Sequence, residues 1–82
     1  MMPVMSFRHG VRLSTLASGQ RALVVRVLPH DPACAQRLLA FGITPGASLT
    51  VLQTFPGMIF QCDETEFAIE PDVARSIVVE VM

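Results

Sequence analysis

The residues of this chain able to hold a metal or move a proton are few and scattered. His9, His30, Asp31, Cys34, Asp63 and Glu64 supply the ligand types, but the two histidines do not share helical spacing, and an ion such as zinc demands three or four converging donors. His30 reads as a solvated loop residue and His9 as a tail residue. They are the two positions left for a metal bridging two molecules adventitiously, and no built metal site and no cofactor are expected. Catalytic sets are equally hard to assemble. Serine, histidine and aspartate are present, yet there is no nucleophile elbow, no Gly-x-x-x-x-Gly-Lys-Ser/Thr phosphate loop and no pair of carboxylates in a pocket-forming context. The chain therefore reads as a protein without enzymatic activity and, specifically, without a GTPase motif. Cys34 and Cys62 lie outside any Cys-x-x-Cys motif and read as buried free thiols that pack as small apolar groups.

What remains for chemistry is contact with a partner. Phe55, Met58 and Phe60 cluster about a tight turn, and methionine beside phenylalanine suits an apolar surface that must adapt to another protein. A domain this small also needs such side chains inside. Phe55 and Phe60 are accordingly expected in the core, with Met58 at the turn the one expected to be exposed. Arg37 is the opposite case: the helical wheel turns it away from the core, either as a solvated charge or as an interface guanidinium, a group enriched at protein–protein contacts.

These residues have to be positioned by a single small domain. The chain has 82 residues, 51% hydrophobic and 16% charged, which suits one folded core and argues against disorder. Six basic and seven acidic residues give a net charge of −1, with no basic stripe to neutralise phosphates, so nucleic acid is not an expected partner. Arg26, Pro29, His30 and Asp31 interrupt the longest apolar run well short of the roughly 18 to 20 residues that cross a bilayer. The first ten residues lack the pattern of a secretory signal, and a cytoplasmic location is expected.

Residues 1–12 read as a flexible tail and 13–82 as the domain. Within it, Leu13 to Gly19 should form a short helix or turn, capped by Ser14 and ended by Gly19. Arg21 to Leu28 reads as a strand whose Leu23, Val25 and Val27 compete with Val24 and Leu28 for the inward face, so that both faces are partly covered or a bulge switches them. Asp31-Pro32 then opens a helix over Pro32 to Phe41, with a carboxylate as cap and proline at the first helical position. Cys34, Leu38 and Phe41, with Ala35 and Leu39 beside them, make its apolar stripe, and Gly42 is its stop. Thr44-Pro45-Gly46-Ala47 suits a type II turn. Strands follow over Ser48 to Phe55, Met58 to Cys62, Thr65 to Glu70 and Ser76 to Val81, with a hairpin at Asp63-Glu64 and a 3₁₀ turn over Pro71 to Arg75. Five short strands and one inserted helix are too few for a two-sheet sandwich. Closing the sheet into a small SH3-like β-barrel removes its edges economically.

The stretch Gln-Arg-Leu-Leu-Ala-Phe-Gly-Ile-Thr-Pro-Gly, Gln36 to Gly46, resembles the signature of the FeoA family (ferrous iron transport protein A). Around it stand the family's other marks in order: Leu13, Leu16 and Gly19 as a Leu-x-x-Leu-x-x-Gly opening, a Val-rich first strand, the Thr-Pro-Gly turn and a Val-Glu-Val ending at Val79 to Val81. The resemblance spans Leu13 to Val81. Two features depart from it: only Pro56 and Gly57 follow Phe55 where many relatives have a longer Gly-rich loop, and Glu70 stands near a position where relatives often carry arginine. The resemblance implies an SH3-like accessory protein of bacterial ferrous iron uptake, monomeric or weakly dimeric. It implies as partner a FeoB-type membrane permease with a cytoplasmic GTP-binding domain, met through a surface for which Arg37, Met58, Phe55 and Phe60 are the candidates. Because the same barrel terminates metal-dependent repressors, a metal-sensing regulatory module is the alternative, although the chain has no helix-turn-helix.

Overall fold

The computed structural model describes residues 10–82; His9 lies outside them. Six antiparallel strands form one sheet: β1 (Val11–Arg12), β2 (Arg21–Val27), β3 (Ser48–Gln53), β4 (Met58–Cys62), β5 (Thr65–Ile69) and β6 (Ile77–Val81). The spatial order is β1-β6-β2-β3-β4-β5. A 3₁₀ turn covers Leu13–Thr15, helix α1 spans Pro32–Ala40, and a short α2 spans Pro71–Arg75. No helix among the described residues is long and apolar enough to cross a membrane.

Helix α1 begins where its punctuation places it. Asp31 is extended, and its carboxylate accepts a hydrogen bond from the Cys34 N–H at 2.7 Å. This satisfies one of the amide hydrogens that a helix start leaves open, and Pro32 behind it has none to satisfy. Cys34 and Leu38 are buried and Phe41 half-buried. Leu39, expected beside the stripe, is instead 67% exposed, because one residue beyond Leu38 turns about 100° around the helix. The chain then turns through Thr44 to Ala47, closed by the Ala47 N–H on the Thr44 carbonyl at 2.9 Å. Gly46 has φ of +97°, the left-handed geometry that the third position of a type II turn requires.

One core unites these elements. Phe60, Leu49, Val51, Ala22, Val24, Ile77, Val79, Leu13, Leu38 and Ile43 are each at most 1% exposed. Two register shifts bend the sheet around them, one between Val24 and Arg26 where β2 meets β6, and one between Val51 and Gln53 where β3 meets β4. An extra residue on one strand kinks it and increases its twist. The bulge also resolves the face competition in β2: Ala22 and Val24 point inward, and beyond the shift Val27 packs against the core.

Several elements differ from the sequence reading. The sheet has six strands rather than five, because Val11 and Arg12, placed in the tail, pair with Val79 and Val78. Gly10 before them is tied to that pairing, since a Cβ there would lie 2.6 Å from the Val79 carbonyl oxygen. The barrel-like wrap is not sealed by a continuous ladder: β1 and β5 are the two ends of the sheet. The first helical turn starts at Leu13 with Arg12 as its cap residue and no side-chain cap bond, so Ser14 sits inside it. Residues Pro71–Arg75 are α-helical rather than 3₁₀. Strand β3 ends at Gln53, two residues before Phe55. Val78 is only 4% exposed, with Arg12 of β1 and Arg26 of β2 opposite it on either side, so both faces of β6 are covered there.

Leu38→Ala is expected to destabilise the fold by about 2 to 5 kcal/mol, the range for truncating a fully buried leucine, and Asp31→Ala by about 1 kcal/mol through loss of the cap. Urea denaturation of both variants measures this, and a loss under about half a kcal/mol for Leu38→Ala is incompatible with a buried helix face.

Candidate partner surface

The four residues considered for a partner surface do not converge. Phe60 is fully buried, paired across the sheet with Val51 and Phe67, and offers nothing to a partner. Met58 is only 6% exposed, which corrects the expectation that it faces solvent: it opens β4 on the same face as Phe60 and Cys62 and lies opposite Ile69. Phe55 is corrected in the other direction. It is 84% exposed, because β3 has already ended and the shift between Val51 and Gln53 has broken the alternation that would have carried it inward. With Leu52, also exposed, it gives the β3–β4 loop an apolar presence in solvent.

Arg37 stands on the outward side of α1, as its helical position requires. Its Nη2 lies 3.3 Å from Glu70 Oε1, just before α2, and its guanidinium carbon lies 6.0 Å from the centre of the Phe41 ring. Phe41 in turn stacks on Phe67 of β5, with ring centres 4.4 Å apart. The arginine is thus placed by one neighbour that the helical repeat supplies, Phe41 four residues on, and by Glu70, which only the tertiary fold brings near it. The pair is exposed on both sides, so its contribution to stability is small and its effect is to orient the guanidinium. The Glu70 carboxyl sits below its usual range, held there first by a hydrogen bond from its own backbone amide and then by the Arg37 charge. Arg37, Glu70, His30, Asp31, Asp72 and Val73 border an open depression of about 270 Å³. His30 is exposed, with Nε2 3.6 Å from Asp31 Oδ2.

A second depression of about 260 Å³ runs along the other side of α1, between Leu38, Leu39 and Ala35 of the helix, Ile43 to Pro45 of the following turn, and Val27 and Pro29. Its walls are mostly apolar, and exposed Leu39 forms part of its rim. Leu39 and Glu70 are the residues the sequence reading missed. The signal for Leu39 was its position one residue off the Cys34–Leu38 stripe; for Glu70, 33 residues from Arg37 in sequence, there was none.

No group of three or more histidine, cysteine or carboxylate side chains able to hold a metal ion occurs among the described residues. Cys34 and Cys62 are both buried and free. Burial pushes the Cys62 thiol up, and the neighbouring Asp63 charge adds to this, so little of the nucleophilic thiolate forms at neutral pH.

Comparison with known proteins agrees with this geometry. Residues 11–81 match the FeoA domain family. An iron uptake regulatory protein described as FeoA, known from a crystal structure, is 31% identical, with a TM-score of 0.79 over 88% of this chain and 96% of that one. The FeoA of Stenotrophomonas maltophilia, crystallised with zinc and described as a prokaryotic SH3 domain protein, is 28% identical, with a TM-score of 0.76 over 85% of this chain and 89% of that one. A manganese-dependent transcriptional repressor shares the fold at 22% identity, with a TM-score of 0.82 over 89% of this chain and 41% of the repressor. No curated protein sequence matches.

Arg37→Ala is expected to move the Glu70 titration upward, but only part of the way to an ordinary glutamate, because the backbone hydrogen bond persists. A carboxyl lowered by folding adds stability above its unfolded pKa and loses it as pH falls through the folded value, so the variant should lose its Glu70 contribution at a higher pH than the parent. Carboxyl-detected NMR titration reads the shift directly, and an unmoved Glu70 would show that the ion pair does not form in solution.

Proposed function

This chain belongs to the FeoA family, and from that premise we propose that it is a cytoplasmic regulator that binds the GTP-binding domain of a FeoB-type ferrous iron permease. The family is one of non-enzymatic accessory proteins associated with ferrous iron transport. The partner, the location and the mode of action are the proposed part. The observation that carries the reading is Phe55: a large aromatic side chain 84% exposed in the β3–β4 loop, whereas the other phenylalanines among the described residues are buried or stacked. Aromatic residues of this kind are the commonest anchors of protein–protein contacts. Arg37, oriented by Glu70 and Phe41, is the second candidate contact. Met58 and Phe60 shape the core behind them and are not contact residues in this reading.

The proposed mechanism is differential binding. A module that binds one nucleotide state of the permease domain more tightly than another shifts their balance by no more than the ratio of the two affinities. Nothing in that mechanism asks the module itself for catalytic groups. The alternative reading, a metal-sensing regulator, has only shared architecture behind it, and architecture does not carry function across.

Calorimetric titration of the full chain against the isolated GTP-binding domain, with GDP and with a non-hydrolysable GTP analogue, tests the proposal. Unequal affinities are expected in the two states. Phe55→Ala should weaken the tighter complex by roughly 30-fold, the effect of losing an anchor worth about 2 kcal/mol, and Arg37→Ala by less. Equal affinities would exclude state selection, and absence of binding in both states would exclude the partner.

A further inference from the structure

An open cleft of about 380 Å³ lies at the C-terminal end of α2, lined by Arg12, Leu28, His30, Asp72, Arg75 and Ser76. Two guanidiniums and an imidazole share its walls with one carboxylate. That carboxylate, Asp72, is engaged by Arg75. Arg12 has no ion-pair partner among the described residues, so the cleft holds an excess positive charge in a chain whose net charge is −1.

Arg12 is fixed at both ends. Its backbone is paired with Val78 in the sheet, and its carbonyl accepts the Thr15 hydroxyl at 2.8 Å. Its Nη1 donates to the Arg75 carbonyl at 2.6 Å, at the helix end where unpaired carbonyls favour a cation. A guanidinium has five N–H donors, and this bond uses one. The simplest account, that Arg12 only caps α2, explains that one bond but does not use the remaining donors. The Ser76 hydroxyl is spent inward, on the Val73 carbonyl at 2.6 Å. Leu28, 46% exposed, supplies an apolar wall.

We propose that this cleft binds a phosphate ester. The free edge of Arg12 donates to two phosphate oxygens in the bidentate manner that suits a planar guanidinium, Arg75 adds the N–H donors that its contact with Asp72 leaves over, and Leu28 receives the carbon part of the ester. Because Arg12 is already held, little side-chain freedom is lost on binding. A soluble phosphate ester and the headgroup of an anionic phospholipid present the same chemistry. The inference is independent of the permease reading.

The test is an NMR titration of the full chain with inorganic pyrophosphate at constant ionic strength, following the arginine Nε–H resonances. Saturable shifts at Arg12 and Arg75, without a shift at exposed Arg21 at the far end of β2, are expected. Arg12→Gln should weaken binding about tenfold, as loss of one charge-assisted contact predicts, while Arg21→Gln should leave it unchanged. If Arg12→Gln does not fold, Arg75→Gln, which keeps the backbone carbonyl that Arg12 uses, takes its place. Sedimentation with phosphatidylglycerol vesicles, against phosphatidylcholine vesicles at the same salt, separates the sources: Arg12-dependent capture by the former assigns a lipid headgroup, and binding of pyrophosphate without capture assigns a soluble ester. No saturable shift up to roughly 10 mM pyrophosphate, or equal shifts at Arg21, would overturn the site.

Discussion

A row of side chains running across three strands and onto a helix holds this molecule together. Val51 of β3 pairs with Phe60 of β4, and Phe60 with Phe67 of β5. The Phe67 ring lies 5.6 Å from Phe60 and 4.4 Å from Phe41 at the end of α1. Neighbouring side chains on one face of a sheet are its unit of stabilisation, and here the row continues beyond the sheet to fasten the helix. Arg37 lies over Phe41 through the helical repeat, and it meets Glu70 because that row brings the end of α1 to β5. In a domain too small for a second core, loss of any member of the row would loosen strand, helix and surface arginine together.

The same economy decides what is left outside. The two bulges bend the sheet so that Phe60, Met58 and Cys62 of β4 all face the core. With β3 ended at Gln53, the next aromatic has no inward place. What remains exterior is the β3–β4 loop, the outward side of α1 and the corner where β1 meets α2. Cys34 and Cys62 add nothing to that exterior, both being buried.

Much of the fold was legible because strong punctuation marks it. Asp31-Pro32 and Gly42 bracket α1, Thr44 to Ala47 form the turn, and Asp63-Glu64 the hairpin, with Asp63 in the left-handed conformation that aspartate tolerates. The β2 strand announced its bulge by carrying apolar residues on both faces. The misreadings at Phe55 and Met58 share a cause. Hydrophobicity alone suggested that Phe55 goes in, whereas the register shift that excludes it is a property of the paired strand. For Met58 the alternation Met58–Phe60–Cys62 against Ile59 and Gln61 was available and pointed inward, but proximity to the Pro56-Gly57 turn was given more weight. Strand β1, at two residues, is too short to show a period, and Arg37–Glu70 and Arg12–Arg75 are long-range pairs that no local pattern encodes.

Strand β1 lies beside β6, antiparallel to it, with Val11 opposite Val79. The polypeptide thus enters the fold and leaves it at one corner. A unit with its two ends side by side can be grafted onto a larger chain by either one without a strand being displaced, and adjacent ends are a common property of domains that tolerate such rearrangement. That geometry makes it understandable that the same architecture stands alone in one setting and occupies less than half of a repressor in another.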